Sequence, residues 1–266
     1  MLTRANGINI DYRDNGAGLP VIFIHAFPLN QTMWDDQFVA LQSSCRVITL
    51  DLRGFGQSDA PQATYSMDQM AADVRELMSA LEIDRAVLVG LSMGGYIALA
   101  FCRNYPNAVR ALVLADTRAG ADTREARQRR LKSAEKAERE GAHAIAVEMI
   151  PLLLGKTSHE RRPSVVQRVR SMIEANSPNG IAGAQRGMAQ RRDSTDVLSE
   201  ITCPALVVVG SEDMLTPIEE AESLARGIRD AGLRVIEGAG HLPSLECPEQ
   251  FNSVLSAFID AIKAKH

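Results

Sequence analysis

Residues 89–95 read VGLSMGG, placing Ser92 two residues from a glycine on either side, Gly90 and Gly94. Neither burial nor helix propagation favours a serine there, because its hydroxyl competes for backbone hydrogen bonds. The apolar run AVLVG (86–90) before it reads as a strand, and MGGYIALAFCRNY after it reads as a helix. A strand that turns into a helix through one residue strains that residue and crowds its neighbours at minus two and plus two. Glycines at those places avoid the clash, and the hydroxyl is left exposed at the top of the sheet. The next amide, that of Met93, then sits at a helix amino terminus, where it can face a developing oxyanion. Such a serine is placed for nucleophilic attack. Its hydroxyl is weak, so the chemistry also needs an imidazole to take the proton and a carboxylate to orient the imidazole.

The elements that would position this turn follow from periodicity. Runs rich in Val, Ile and Leu recur between turn residues: VIFIH (21–25), RVITLD (46–51), AVLVG (86–90), VRALVLAD (109–116), PALVVVG (204–210) and LRVIEG (233–238). They are apolar on both faces, as strands covered on both sides are. Helical patterns over 66–81, 93–104, 217–230 and 248–263 lie between most of them, several opening on a cap or a proline. The alternation predicts an α/β fold, a mostly parallel twisted sheet with helices on both faces. INIDYR (8–13) alternates and reads as an antiparallel edge strand. No strand is expected between residues 116 and 203. Instead DTREARQRRLKSAEKAEREG (122–141) reads as a charged helix, with Asp122 and Glu125 at capping-box spacing and Gly141 as its stop. An apolar stretch (142–155) and helices over 163–175 and 178–191 follow, forming an insertion over the carboxyl ends of the strands, where open α/β sheets bind ligands. The arginines at 124–139 alternate with acids and read as a solvated helix face.

The 266 residues, 45% of them hydrophobic, suffice for one core with an appended subdomain. A net charge of -4 gives no electrostatic reason for a nucleic acid or an anionic membrane as partner. The amino terminus has no signal-peptide pattern, and no stretch approaches the ~18 apolar residues of a membrane span. Cys45, Cys102, Cys203 and Cys247 are scattered without a CxxC, as reduced thiols of a cytoplasmic protein are. The histidines at 25, 143, 159, 241 and 266 form no HxxxH or HExxH pattern. No metal and no cofactor is expected, and the partner is a small molecule.

In its strand–turn–helix setting, GLSMG resembles the serine elbow of the α/β-hydrolase family, and the resemblance runs along nearly the whole chain, weakest over the insertion. It implies an α/β-hydrolase core at 1–118 and 202–266 and a helical lid at 119–201, inserted after strand six (109–116). It also implies a triad in the order serine, acid, histidine. Ser92 is followed by Asp213 in VVVGSEDMLTP (207–217) and by His241 in EGAGHLPSLECPEQF (237–251). Asp116 is a second acid, since some members of this fold take theirs from the end of that strand. The closer match of GSEDMLTP favours Asp213, while Thr117 and Arg118 offer Asp116 a local hydrogen bond and an ion pair. HAFPLNQTMW (25–34) resembles the family's His-Gly-x-Pro loop, making Phe27 the second oxyanion donor beside Met93. Ala26 replaces the usual glycine, at a cost of about 1 kcal/mol if that position needs a positive φ. His25 is expected to donate to backbone beneath the loop, and Asp51 and Arg53 to form a structural ion pair.

A serine nucleophile sets aside the aspartate-dependent epoxide hydrolases and haloalkane dehalogenases, and the HGGG loop of hormone-sensitive and cholinergic-type esterases is missing. The resemblance implies a cofactor-free carboxylesterase-like enzyme acting on small carboxylic esters. Met149, Ile150 and Leu152 to Leu154 would join Phe27, Trp34 and Met93 in an apolar pocket, with Trp34, Leu152 and Leu153 touching substrate. Core packing beneath the insertion explains the lid residues equally well. The elbow, DLRGFGQSD (51–59) and ADTRAGADTREAR (115–127) also resemble the 3-oxoadipate enol-lactonases, so lactone hydrolysis is an alternative, as is a perhydrolase using peroxide in place of water. A non-catalytic ligand receptor on the same fold would give a single slow turnover at most.

Overall fold

The computed structural model describes residues 1–264, so His266 lies outside it. Its strands are β1 (Leu2–Ala5), β2 (Ile8–Asn15), β3 (Pro20–Ile24), β4 (Arg46–Leu50), β5 (Ala86–Leu91), β6 (Val109–Ala115), β7 (Ala205–Gly210) and β8 (Ala231–Ile236). They form one sheet in the order β1-β2-β4-β3-β5-β6-β7-β8. All pairings from β4 to β8 are parallel, while β1–β2 and β2–β4 are antiparallel. β5 and β7 are buried at every residue, which is why their sequences are apolar without alternation. The segment read as an edge strand is therefore one position in from the edge. β1 lies outside it, too short and too exposed for its own periodicity to announce it.

The helices of the core are α1 (Asp35–Leu41), α2 (Met67–Ala80) and α3 (Met93–Asn104). Between β6 and β7 come α4 (Arg124–Leu153), α5 (Lys156–Arg161), α6 (Pro163–Glu174), α7 (Pro178–Ala189) and α8 (Thr195–Leu198). After β7 follow α9 (Ile218–Gly227), α10 (Pro243–Glu246) and α11 (Pro248–Ala264). α2 packs on α3, and α1 on α11, sandwiching the sheet. Ser66 caps α2 by accepting from Gln69 N, as its position before the apolar pattern suggests. No described helix is long and apolar enough to cross a membrane.

α4 bends at Gly141, whose φ of 81° and ψ of 179° interrupt the helix, so the expected stop is a kink between two helical halves. The cap of α4 also differs from expectation. Thr123 accepts from Ala126 N, which frees Asp122 to pair with Arg130 and Arg191 across the insertion.

Candidate active site

β5 carries Ser92 to the carboxyl edge of the sheet, where its φ is 56° and its ψ -111°. Such backbone costs a non-glycine residue about 1–3 kcal/mol and persists only when its surroundings fix it. Here Ser92 N donates to Ala115 O at 2.9 Å, and Thr117 Oγ1 donates to Ser92 O at 2.8 Å. A Cβ on Gly90 would lie 2.3 Å from Gly94 O, and one on Gly94 would lie 2.1 Å from Ile24 O. Both positions therefore require glycine.

The structure brings Ser92, His241 and Asp213 together. His241 Nε2 lies 2.8 Å from Ser92 Oγ, and its Nδ1 lies 2.8 Å from Asp213 Oδ2. A carboxylate at Nδ1 fixes the proton there and leaves Nε2 to accept from the serine. Asp213 also accepts from Leu215 N at 2.8 Å and Thr216 N at 3.1 Å on Oδ1, and from the Thr216 hydroxyl on Oδ2. Burial alone would raise its pKa. The His241 charge and the hydrogen bonds from His241 and Thr216 outweigh that and bring it down to about 2. It is a fixed anion.

Asp116 follows β6 close by, with one carboxylate oxygen in a compact group with a carboxylate oxygen of Asp213 and a ring nitrogen of His241. Its φ is 44°. Oδ1 accepts from Gly210 N at 2.8 Å, while Oδ2 is buried without a partner. Burial and the neighbouring Asp213 carboxylate raise its pKa well above the usual carboxylate range, so the fold favours its neutral form. The expected local partners go elsewhere. Thr117 bonds Ser92 O, and Arg118 reaches Leu215 O and Glu220. Asp116, Asp213 and His241 offer oxygen and nitrogen ligands in the manner of a metal site. Yet the donors at Gly210, Leu215 and Thr216 are aimed at the carboxylates, a field suited to anions and not to a cation.

Met93 is the first residue of α3, so its amide has no acceptor within the helix. Among the described residues the Phe27 amide has none either. Ala26 is absent from the non-glycine residues with positive φ, so the alanine there carries no backbone strain. His25 beneath this loop is buried, with Nδ1 2.9 Å from Ala26 O and Nε2 accepting from Leu52 N at 3.1 Å. Burial lowers its pKa to about 4 against the opposing bond to Ala26, so it is neutral. Asp51 and Arg53 do not pair. Asp51 receives Gln31 N and Gln57 N, and Arg53 binds Asp73, because two loop residues so close in sequence face different neighbours.

A cavity of about 90 Å³ opens on Ser92 and His241. Its apolar wall comes from Phe27, Met149, Leu153, Met188 and Leu215, and its polar wall includes Tyr96, Thr216, Arg118 and Arg130. Leu153 is where the sequence reading put it. Leu152 is not: it is 43% exposed, because the next position on a helix points about 100° away. Trp34 is fully buried in the core against Phe23 and Phe251, where its indole fills volume and touches no substrate space. Tyr96 stands one helical turn after Ser92, a spacing that marks it in the sequence. Arg130 was hidden in the charged run read as solvated, and Arg118 by its assignment to Asp116. A larger cavity of about 600 Å³ lies beyond the opposite ends of β6 and β7. Its thiols are no alternative nucleophiles, since burial raises the pKa of Cys102, and that of Cys203 to about 11.

Residues 20–248 match the sequence profile of a family described as the alpha/beta hydrolase fold. A thermophilic esterase from Thermogutta terrifontis, solved with malate bound, superposes with a TM-score of 0.97 and 41% identity, covering 98% of this chain and 99% of that one. The enol-lactonase of Burkholderia xenovorans superposes with a TM-score of 0.91 and 28% identity, over 98% of this chain and 100% of that one. An AB hydrolase superfamily protein of Bacillus subtilis is 33% identical, over 94% of this chain and 95% of its own length.

Proposed function

Because the chain belongs to the alpha/beta hydrolase fold family, we propose that it is a serine hydrolase cleaving small carboxylic esters through an acyl-enzyme. The observation that carries this reading is the unbroken relay from Ser92 Oγ through His241 to Asp213, each contact 2.8 Å long. Ser92 attacks the acyl carbon as His241 Nε2 takes its proton, and the amides of Met93 and Phe27 receive the oxyanion. The imidazolium, steadied by Asp213, returns that proton to the leaving alcohol. Water then repeats the sequence on the acyl-serine and frees the acid. No cofactor enters these steps.

We read residues 119–201 as a lid over a core formed by 1–118 and 202–266. Met149, Leu153 and Met188 of α4 and α7 line the same cavity as Ser92, which supports that division. Four free cysteines accord with a reducing, cytoplasmic setting. A second reading, lactone hydrolysis, is favoured by the similarity to the Burkholderia enol-lactonase. It uses the same steps, with the leaving alcohol tethered to the acyl group.

A fluorophosphonate should label Ser92 stoichiometrically, and Ser92→Ala should lose ~10⁴-fold or more in kcat. Labelling at another serine, or near-normal turnover by the alanine variant, refutes the reading. A chain-length series of chromogenic esters run beside a panel of lactones separates its two forms.

A further inference from the structure

A cavity for a neutral ester has no use for charge, yet the wall around Ser92 carries two guanidinium groups and no carboxylate. Arg118, on the loop leaving β6, donates to Leu215 O and lies 3.5 Å from Glu220, both side chains of that pair being about one-third exposed. So exposed and so long a pair is weak. Arg118 Nε is buried with no acceptor among the described residues. Arg130, from α4, binds Asp122 and reaches Gln185 Oε1 and Met188 Sδ, each at 3.3 Å. Asp122 is shared with Arg191, which stacks over the Tyr96 ring at 4.1 Å and whose Nε is also buried without an acceptor. Arg191 itself lines a neighbouring hollow and also acts on Asp193, so the guanidinium groups on this wall are those of Arg118 and Arg130. Asp213 does not line the cavity, because it stands behind the imidazole.

Buried donors without acceptors are uncommon in folded proteins, because each loses its water without replacement. An anion entering the cavity would meet the side chains of Arg118 and Arg130 on a wall that offers them no carboxylate. A guanidinium presents its N–H groups as a planar fork suited to a carboxylate. We propose that Arg118, assisted by Arg130, binds a carboxylate carried by the substrate, so that this site is built for small ester or lactone monoanions. Because Ser92, Arg118 and Arg130 line one cavity, the carboxylate and the scissile ester belong to one short molecule, separated by only a few atoms. This assignment rests on Ser92 being the nucleophile for turnover, but not for binding. Hydrolysis of such a half-ester consumes one water and yields a dicarboxylate, an alcohol and a proton.

Ethyl hydrogen fumarate and ethyl crotonate differ in a terminal carboxylate against a methyl group, and the rigid trans bond keeps that carboxylate from assisting its own ester. Their kcat/KM values can be read in a pH-stat near neutrality. The fumarate half-ester should be favoured by tenfold or more, and Arg118→Met should reduce that ratio by about tenfold or more. Arg118→Lys should fall between, since it keeps charge without the fork. Arg130→Met, expected to move the ratio in the same direction, serves as the second variant should Arg118→Met fail to fold. A wild-type ratio near one, or a ratio unchanged in the folded variants, overturns the assignment. Calorimetric titration with succinate tests it without turnover: binding should be measurable in the wild type and weakened about tenfold or more in Arg118→Met. Absence of binding overturns it. Succinate binding without hydrolysis of either ester keeps the anion site and refutes the hydrolase reading.

Discussion

Asp213→Asn removes one charge while leaving the shape of its loop. Oδ1 accepts from two amides, Leu215 N and Thr216 N, so the asparagine carbonyl should keep that side. Its NH₂ then faces His241 Nδ1, a donor where an acceptor stood at 2.8 Å. The imidazole must move its proton to Nε2, which then donates to Ser92 instead of accepting from it. A wrong tautomer of this kind costs ~10³- to 10⁴-fold in kcat. At 1.36 kcal/mol per decade, that is about 4–5.5 kcal/mol of transition-state stabilisation. Asp116→Asn makes the contrasting case. It replaces a carboxyl group whose neutral form the fold favours, keeps an oxygen for Gly210 N, and tolerates the φ of 44° as asparagine does. Its loss should stay below about tenfold, as expected for a group outside the relay.

The assay is steady-state kcat on a chromogenic acetate ester, with active sites counted by fluorophosphonate and folding checked by circular dichroism. The two acids also couple. Removing the Asp213 charge lowers the barrier to ionising Asp116, so the residual activity of Asp213→Asn should rise with pH, and the double variant should lose that rise. Equal losses in the two single variants, or the reverse ranking, would refute the assignment of Asp213 as the orienting acid.

Asp116 should also show in stability. The fold keeps it protonated above the unfolded carboxylate value of about 3.9, so the stability it contributes is complete below that pH and is lost as pH rises toward its raised folded value. Asp116→Asn should accordingly melt higher than wild type by a margin that widens as pH rises above the unfolded value of about 3.9, and a constant margin would exclude the linkage. His25 has the opposite dependence: its folded pKa of about 4 lies below the unfolded value of 6.5, so stability should rise with pH across that interval, by about 3 kcal/mol at most. Urea unfolding of wild type and His25→Gln across that interval checks this, the variant being flatter. Leu153→Ala should shift the ester chain-length profile toward longer acyl groups, while Leu152→Ala, on the exposed side, should not move it. Identical profiles for the two variants would remove Leu153 from the acyl wall.

What the sequence made legible was local. Gly90, Ser92 and Gly94 obey a steric rule that operates within five residues, and the turn they predict is the one observed. The buried strands announced themselves for a similar reason, because each needs apolar side chains on both faces. Side-chain direction was not legible. Leu152 and Leu153 are the same residue type on one helix, and only the packing of α4 against α7 decides which faces the cavity. Trp34 turns into the core because Phe23 and Phe251 lie there, the second of them remote from it in sequence. Charge partners were hardest of all. Arg130 lies in a run of alternating charges that suits a solvated face, and its partners Asp122 and Gln185 reach it only through the folding of the insertion.

Those long-range charges sort themselves on two sides of one imidazole. Behind His241 stand two carboxyl groups, Asp213 and Asp116, close enough that both cannot ionise cheaply. Four donors hold Asp213 as the anion, while Asp116 receives one amide and is pushed by burial toward its neutral form. A single negative charge therefore faces the ring, which is what the imidazolium of the transition state requires. A second would hold the proton on Nδ1 more tightly and raise the cost of burying the group. In front of the ring the balance is reversed, with Arg118 and Arg130 on the cavity wall and no carboxylate lining it. A neutral ester would meet only the first of these fields. A half-ester anion meets both, its ester at Ser92 and its carboxylate at the guanidinium groups, and is oriented by the second before the first acts on it.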